Sequence, residues 1–314
     1  MSKIKKLGLS IVCFDGSEHL KNIIYELRNL VDVIHVCMQE VSYHGDPLDD
    51  EDKQEVLYLK EIGYVDDILW FNPDLSYLKQ KEFDASIPRR IECDKRNMML
   101  DKLEEAGCSH SIIIDSDEFY DFYDFKRAKD FINENENIHI TYCQYVNYYN
   151  DYDRILVYPF LSYVPFISEA RFRFQFDSSD INLPSDPTRR YKIPETDENR
   201  QYNIFDWKTV HMHHLSWIRK DITKKLKNWS AKRYFENVAG LQERIINRYR
   251  NWKPGLNAYL MFNVPGNAVI VNKLDKKYIK PHYKIYEQAI KGEFRQDESL
   301  HSGDALETRA VEQE

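Results

Sequence analysis

Short apolar runs alternate with helical stretches over the first 120 residues. Strands are predicted by four apolar runs, at residues 7–13, 32–38, 67–71 and 111–114. Leucine and isoleucine recur at helical spacing over residues 17–30, and helices are also predicted over 49–63 and 89–106. Strands that alternate with helices in this way form a parallel sheet with helices on both faces. Ligands of such sheets bind beyond the carboxyl ends of the strands.

The second half of the chain has a different pattern. Strands are predicted over 138–149, 155–159 and 210–216, and the polar, proline-containing stretch 177–203 predicts a loop. Residues 221–252 are basic and mostly helical in pattern, a short helix is predicted over 281–290, and the polar residues 295–314 predict a disordered tail. We therefore expect one continuous domain, made of an α/β half over 1–125 and a mixed half over 126–294.

The composition excludes several classes of protein. The 314 residues carry 44 Lys and Arg against 52 Asp and Glu, a net charge of −8, which argues against a protein coated in nucleic acid. No apolar run reaches the roughly 18 residues of a membrane span. Five scattered cysteines and the lack of a signal peptide predict reduced thiols in a cytoplasmic protein. Dinucleotide, P-loop, zincin and hydrolase motifs are missing.

Two carboxylates follow the fourth predicted strand, in the segment SIIIDSDEFYDF at residues 111–122. Strand alternation places Asp115 and Asp117 on the same side of the chain, at the edge where ligands of a parallel sheet bind. Such carboxylates suit Mg²⁺ or Mn²⁺, which commonly bind phosphate oxygens as well. The alternative is an acidic turn in which Asp117 or Glu118 caps the next helix.

The D-S-D-E-F sequence at residues 115–119 resembles the Asp-x-Asp motif of GT-A-fold nucleotide-sugar glycosyltransferases, in particular the D-x-D-E-F form of family-2-like members. Residues 10–36 are similar to the opening of that fold, and the resemblance covers about residues 5–125. It implies a GT-A-like, Rossmann-like α/β fold with a mostly parallel sheet flanked by helices, a nucleotide-sugar-binding first half, a mixed acceptor-binding half and a C-terminal helical segment. The implied activity is metal-dependent hexosyl or pentosyl transfer, with Mn²⁺ or Mg²⁺ and a nucleoside-diphosphate sugar, which we expect to be UDP-linked.

The resemblance also implies roles for particular residues. Phe14 and Asp15, after the first strand, would contact the base or ribose. Lys95 and Arg96 would face the nucleotide, and they are candidates for neutralising its diphosphate. Asp115 and Asp117 would bind the metal, with Asp117 as the direct ligand and Asp115 also near the donor.

A histidine cluster lies about a hundred residues later, at 211–214. Members of the GT-A fold often complete the metal shell with a histidine from a late segment. By that resemblance His213 or His214 is a ligand, and the sequence does not choose between them. Trp217, Arg219 and Lys220 are then candidates for contacting the donor and its diphosphate. The alternative is that one histidine lies in the core and the others at the surface.

Inversion at the anomeric carbon requires a base that deprotonates the acceptor hydroxyl. Glu169 and Asp177 are the sequence candidates, because they lie between the two motifs. The alternative for Glu169 is an ion pair with a neighbouring arginine, and a retaining enzyme needs no such base.

Residues 219–253 carry eleven Lys and Arg against three acidic residues. This segment predicts a solvated helix pair, a diphosphate site at its start, or a polyanionic acceptor surface. We expect the acceptor to be a glycan, another hydroxyl compound, or a modified base in DNA. The last of these would imply a viral or phage protein that acts in the host cytoplasm. A nucleotidyltransferase and a catalytically inactive sugar- or nucleotide-binding module are the alternative functions.

Overall fold

The computed structural model describes residues 3–79, 84, 86–157, 162–177, 181, 183–192, 201–230, 232, 240–253 and 270–273. The predicted helix at 281–290 and the predicted tail at 295–314 lie outside the described residues.

The described residues of the first half form five strands and four α-helices. The strands are β1 (Leu7–Cys13), β2 (Val33–Met38), β3 (Asp67–Trp70), β4 (His110–Asp115) and β5 (Glu118–Phe119). The helices are α1 (Leu20–Leu27), α2 (Asp50–Glu61), α3 (Ile87–Glu105) and α4 (Phe122–Glu134), with short 3-10 helices at Ser17–His19 and Ser76–Lys79.

The described part of the second half is mainly β-structure. Its strands are β6 (Ile138–Tyr149), β7 (Asp151–Val157), β8 (Tyr163–Glu169), β9 (Arg173–Phe174), β10 (Tyr191–Lys192), β11 (Gln201–Ile204), β12 (His211–Trp217) and β13 (Ile270–Lys273). Its helices are α5 (Ile222–Asn228) and α6 (Leu241–Arg250), with a 3-10 turn at Pro187–Arg189.

One large sheet joins the two halves, in the order β3-β2-β1-β4-β8-β6-β7-β13. Strands β3, β2, β1 and β4 are parallel, as predicted, whereas β8 runs antiparallel to β4 and β6. Strands β11 and β12 add in parallel to β6, and β5 pairs with β12. This mixed α/β arrangement is Rossmann-like and GT-A-like. β8 was not predicted from the sequence, although it connects β4 of the parallel part of the sheet to β6.

Helices cover both faces of the parallel strands. On one face, α1, α2 and α4 pack on β1 through buried residues such as Leu9 and Ile11. On the other face α3 packs through Met99, Leu100 and Leu103. At Gly8 a Cβ atom would lie 2.5 Å from Cδ2 of Leu103, so glycine permits the close approach of α3 to β1. That approach brings the polar N-terminal part of α3 to the carboxyl end of β4.

A smaller apolar cluster packs α5 and α6 on the end of β12, through Trp217, Leu226 and Ile245. All five cysteines are free and buried. Among the residues that the structure describes, no helix has both the length and the apolar character needed to cross a membrane.

Candidate functional site

A cavity of about 880 Å³ opens at the carboxyl edge of β1, β2 and β4, where the sequence predicts a ligand site. Its described walls are the ends of these strands, the N-terminal part of α3, parts of β6 and β12, residues 184–190 and residues 225–230. The cavity therefore lies between the parallel half and the mixed half.

Asp115 ends β4 and is held by two arginines. Nη2 of Arg96, on α3, lies 2.8 Å from Oδ1 of Asp115, and Nη2 of Arg189 lies 2.6 Å from Oδ2. Burial alone would raise the pKa of Asp115, but the two guanidinium groups hold it well below its usual range. Asp115 is thus held as an anion by two arginines. Among the described residues it does not belong to the group whose ligand atoms come close enough together to hold a cation.

Asp117 lies two residues after Asp115, in the turn between β4 and β5, and its carboxylate faces three basic side chains. It accepts hydrogen bonds from the Arg219 guanidinium and, at 2.9 Å, from Nζ of Lys225. Nε2 of His214 lies 3.6 Å from its Oδ1 atom. Burial opposes ionisation, but these groups hold the pKa of Asp117 well below its usual range. Asp117 therefore carries a negative charge at neutral pH.

Glu118 was expected only as a possible helix cap, and it instead lies in the site. Its two oxygens accept hydrogen bonds from Nη1 and Nη2 of Arg189 at 2.8 and 2.7 Å, and its Oε2 also accepts one from the amide of Asp115. Burial raises the pKa of Glu118, while Arg189 acts in the opposite direction. The helix cap of α4 is Asp121, whose side chain accepts from the amides of residues 123 and 124.

Asp117, Glu118 and His214 can together surround a cation. One ligand atom from each lies within 4.8 Å of the others. Nδ1 of His214 lies 2.6 Å from Oδ1 of Asn147, which leaves Nε2 as the nitrogen that faces the two carboxylates. A fixed tautomer with a free ring nitrogen is the usual arrangement of a metal-binding histidine. Two carboxylates and one imidazole suit Mn²⁺ or Mg²⁺, so the donor set fits the predicted metal.

The structure separates the two candidate histidines. His213 points to the opposite face of β12, where its ring stacks on Phe119 and its Nδ1 lies 2.7 Å from the hydroxyl of Tyr148. His211 lies on that same side, with its ring 4.4 Å from that of His213. His213 is therefore a core residue that is not part of the group formed by Asp117, Glu118 and His214, because strand alternation sends neighbouring side chains to opposite faces.

The residues predicted to neutralise a diphosphate divide between the cavity and the surface. Arg219 lines the cavity and bridges Asp117 and Glu18. Trp217 is buried and forms part of the wall. Lys220 is exposed and does not line the described cavity. Lys225, one turn into α5, lines the cavity and donates a hydrogen bond to Asp117.

Lys95 and Arg96, which by the resemblance would face the nucleotide, both line the cavity. Nζ of Lys95 donates to Oε1 of Gln39 at 2.7 Å and lies 5.1 Å from the ring centre of Tyr43. Burial lowers the pKa of Lys95. Among the described residues Lys95 has no carboxylate at ion-pair distance, so its charge is available to an anionic or carbonyl-bearing ligand.

Phe14 and Asp15 lie at the cavity side of the loop after β1. The backbone of Asp15 is left-handed, with φ of 53°. Burial raises the pKa of Asp15 to about 6, although Nζ of Lys224 lies 3.3 Å away and acts in the opposite direction. Lys224 also contacts Asp49 and, at 2.7 Å, Asp52, so this second group of carboxylates surrounds a lysine.

The two predicted bases lie elsewhere. Glu169 pairs with His110, at the opposite end of β4 from Asp115, and contacts His139 and Arg171 at 2.9 and 2.6 Å. Asp177 is mostly exposed and bonds to Arg190 at 3.0 Å. Neither lines the described cavity. The alternative for Glu169, an ion pair with a neighbouring arginine, is what the structure contains.

Sequence reasoning missed Arg189 and Lys225 as site residues. Arg189 lies in the 3-10 turn, within the stretch 177–203 that the sequence predicts only as a polar loop. No local sequence feature indicates that Arg189 contacts Asp115. For Lys225 a signal existed, because Asp221 caps α5 by accepting from the amide of Thr223 and so fixes which face the following lysines present.

Three lysines near the start of the basic segment are paired within the protein. Lys224 contacts aspartates of the first half, Lys225 contacts Asp117, and Lys227 lies 2.6 Å from Asp46. These lysines fasten α5 to the first half. They are therefore not a free surface for a polyanion.

Comparison with known proteins gives limited similarity. No family model matches the chain, and no curated protein sequence matches it. Among solved structures, S. aureus TarS superposes with a TM-score of 0.31 and 12% identity over 45% of this chain and 22% of that chain. A structure of TarS 1–349 gives 0.29 and 14% over 45% and 35%. The aligned part thus spans about a third of each TarS chain or less. The fold and the site define a GT-A-like α/β protein with a carboxylate–histidine cluster at the carboxyl edge of its sheet.

Proposed function

We propose that this protein is a metal-dependent glycosyltransferase that transfers a sugar from a nucleoside-diphosphate sugar, UDP-linked in our expectation, to a hydroxyl acceptor. The observation that carries the proposal is the group Asp117, Glu118 and His214, whose ligand atoms lie within 4.8 Å of one another. This group faces a cavity that also contains Arg219 and Lys225. Carboxylates beside cationic side chains suit a ligand that brings both a divalent cation and phosphate oxygens.

The cavity residues fall into two sets that match the two ends of such a donor. Phe14, Asp15 and Lys95 lie beside the loops after β1 and β2 and would hold the nucleoside. Arg219 and Lys225, which contact Asp117, would bind the diphosphate. Mn²⁺ or Mg²⁺ held by Asp117 and His214, with Glu118 beside them, would stabilise the charge that develops on the leaving diphosphate.

Arg189 and Arg96 serve the site indirectly. The two arginines pair with Asp115 and Glu118, so that two positive and two negative charges lie close together and the carboxylates do not repel each other. This arrangement holds the backbone between Asp115 and Glu118, from which Asp117 projects. The ligand geometry is then set before any donor binds, which favours binding because no ordering cost remains.

The acceptor is left open by this proposal. Nothing in the described residues favours nucleic acid, since the lysines of α5 are paired with aspartates of the first half. A glycan or another hydroxyl compound is the acceptor class that we retain.

Thermal melting with a panel of nucleotides tests the donor site. UDP, GDP, CDP, ADP and dTDP, and UDP-glucose and UDP-N-acetylglucosamine, are each added with and without MnCl₂. A ligand at 100 times its Kd adds about 2.7 kcal/mol of stability, which moves the Tm by a few degrees. We expect a shift for one nucleoside that requires Mn²⁺ and is lost in Asp117→Asn and His214→Ala.

A matched control is His139→Gln, which removes another histidine bonded to a carboxylate, at the far end of the sheet. It should leave the metal-dependent shift unchanged. The absence of a shift with every nucleotide would remove the donor hypothesis. Release of pyrophosphate rather than nucleoside diphosphate during turnover would indicate a nucleotidyltransferase instead.

A further inference from the structure

Six carboxylates line the described cavity, and five of them are bound to cations. These five each lie within 3.3 Å of a lysine or arginine nitrogen, and they are Asp15, Glu92, Asp115, Asp117 and Glu118. Glu92, Asp115, Asp117 and Glu118 are poor proton acceptors, because protonation of any of them leaves a buried arginine without its partner. Asp15, which shares Lys224 with Asp49 and Asp52, is assigned to the nucleoside in the proposed function. The sixth carboxylate, Asp186, lies farther from its nearest cation, 3.9 Å from Nη2 of Arg89. Burial acts to raise its pKa, but the hydrogen bonds from Thr188 and the charges of Arg189 and Arg89 hold the pKa below its ordinary value.

Asp186 keeps one oxygen free. Its Oδ1 accepts hydrogen bonds from the amide and hydroxyl of Thr188, at 2.7 and 2.8 Å, and lies 3.9 Å from Nη2 of Arg89. Its Oδ2 has no partner within the part of the chain that the structure describes. The side chain is 51% exposed and lines the cavity. Oδ2 is therefore open to a ligand while Oδ1 fixes the orientation of the carboxyl group.

The wall that carries Asp186 is held from several sides. The amide of Tyr163 donates to the carbonyl of Pro184 at 2.8 Å, and the amide of Asp177 donates to that of Pro187 at 3.1 Å. Asp186 caps the 3-10 turn that ends at Arg189, and Arg189 bonds to Asp115 and Glu118. One 3-10 turn spans roughly 6 Å. Asp186 is thus placed at a short, fixed separation from the end of β4.

Tyr145 connects Asp186 with the candidate metal site. Its ring makes an edge contact with the ring of His214, with centroids 5.8 Å apart. Burial raises the pKa of Tyr145, and the nearby charge of Asp186 adds to this effect. Tyr145, His214 and Asp186 all line the same cavity.

We propose that Asp186 is the catalytic base of this cavity, an inference that rests on the proposed function. Its Oδ2 takes the proton of the acceptor hydroxyl as that oxygen forms a bond to the anomeric carbon. The bond from this carbon to the diphosphate oxygen breaks, and its electron pair leaves with the nucleoside diphosphate. A single displacement of this kind inverts the configuration at the anomeric carbon. The acceptor then binds between residues 184–190 and Tyr145.

Water can replace the acceptor in a first test. Release of UDP from UDP-glucose or UDP-N-acetylglucosamine is measured with Mn²⁺, beside binding of UDP by calorimetry. Asp186→Asn keeps the cap, since asparagine caps as well as aspartate, and it removes the base. We expect UDP release to fall roughly 10²–10⁴-fold, with the Kd for UDP changed less than about twofold. Asp186→Ser, which also caps, should behave in the same way.

The outcomes separate the inference from the function on which it rests. If the wild type binds no nucleotide, the proposed function fails and this inference fails with it. If UDP binds and is released at an unchanged rate in Asp186→Asn, only the inference is overturned, and a loss in Asp177→Asn would then transfer the role to that residue. Loss of UDP binding in Asp186→Asn would assign a structural role. A wild type that binds UDP but hydrolyses neither sugar nucleotide also overturns the inference.

Discussion

The Nη2 atom of Arg189 lies 2.6 Å from Oδ2 of Asp115, although 74 residues separate the two in the chain. The same guanidinium holds both oxygens of Glu118. This contact joins the polar stretch before β10 to the carboxyl end of β4, and thereby closes one wall of the cavity. The site therefore depends on a residue whose local sequence carries no sign of it.

Removal of Arg189 should strongly destabilise the protein. Arg189→Met leaves Glu118 buried without its cation and returns repulsion between Glu118 and Asp115. Breaking a buried pair by deleting one partner costs about 3–5 kcal/mol, so urea denaturation should show a loss of that size. Arg190→Met is the matched control, because its partner Asp177 is mostly exposed. It should cost at most about 1 kcal/mol, and equal losses in the two variants would contradict this account.

Asn147 should control metal affinity without contacting the metal. Its Oδ1 fixes the tautomer of His214. Asn147→Ala removes that acceptor and should weaken Mn²⁺-dependent nucleotide binding about 10–100-fold, measured by calorimetry. Gln144→Ala removes another amide of β6, bonded only weakly to Tyr163 at 3.4 Å, and should have little effect. An unchanged Mn²⁺ dependence in Asn147→Ala would argue against His214 as a ligand.

His19 should make the protein sensitive to acid. Burial, followed by the charge of Arg219, lowers the pKa of His19 to about 4, against an ordinary value of 6.5. Between pH 6.5 and 4 the unfolded state therefore binds more protons than the folded state, so stability is full above pH 6.5 and falls as the pH decreases through this window. The total is about 3 kcal/mol at one pKa unit per 1.36 kcal/mol.

Urea denaturation of the wild type and of His19→Gln from pH 7.5 to 4 measures this effect. Glutamine can still donate to the carbonyl of Ile218, the partner of His19 Nε2. The difference between the two free energies of unfolding should shift in favour of His19→Gln as the pH falls. Parallel pH profiles would show that His19 does not carry the acid sensitivity.

Lys224 should fasten α5 to the first half. It contacts Asp15, Asp49 and Asp52. In Lys224→Met the three carboxylates lose their shared cation, and amide exchange in α5 should accelerate about tenfold or more, since local opening becomes easier. Lys220→Met changes an exposed lysine just before the same helix and should leave exchange unchanged. Equal exchange in both variants would show that apolar packing alone holds α5.

The sequence predicted the framework of the site well. Apolar runs with turn signals placed β1, β2, β3 and β4 close to their observed bounds, because buried parallel strands need continuous apolar sequence. The position of Asp115 and Asp117 after the fourth strand followed from this. The choice between His213 and His214 did not follow, since it depends on which face of β12 lies toward the cavity.

What the sequence determined by itself was the parallel α/β half, its ligand-binding edge and the acidic motif at that edge, because these follow from local periodicity and strand direction. Only the tertiary structure decided which side chains meet there. Arg189, Lys225 and Asp186 reach the cavity from segments 70 or more residues after Asp115, through strand pairing and helix docking that no local pattern encodes. The same pairing of β8 with β4 carries Glu169 to the opposite end of the sheet. The charged residues that meet at the site are therefore determined by long-range packing, whereas the location of the site follows from the local sequence pattern.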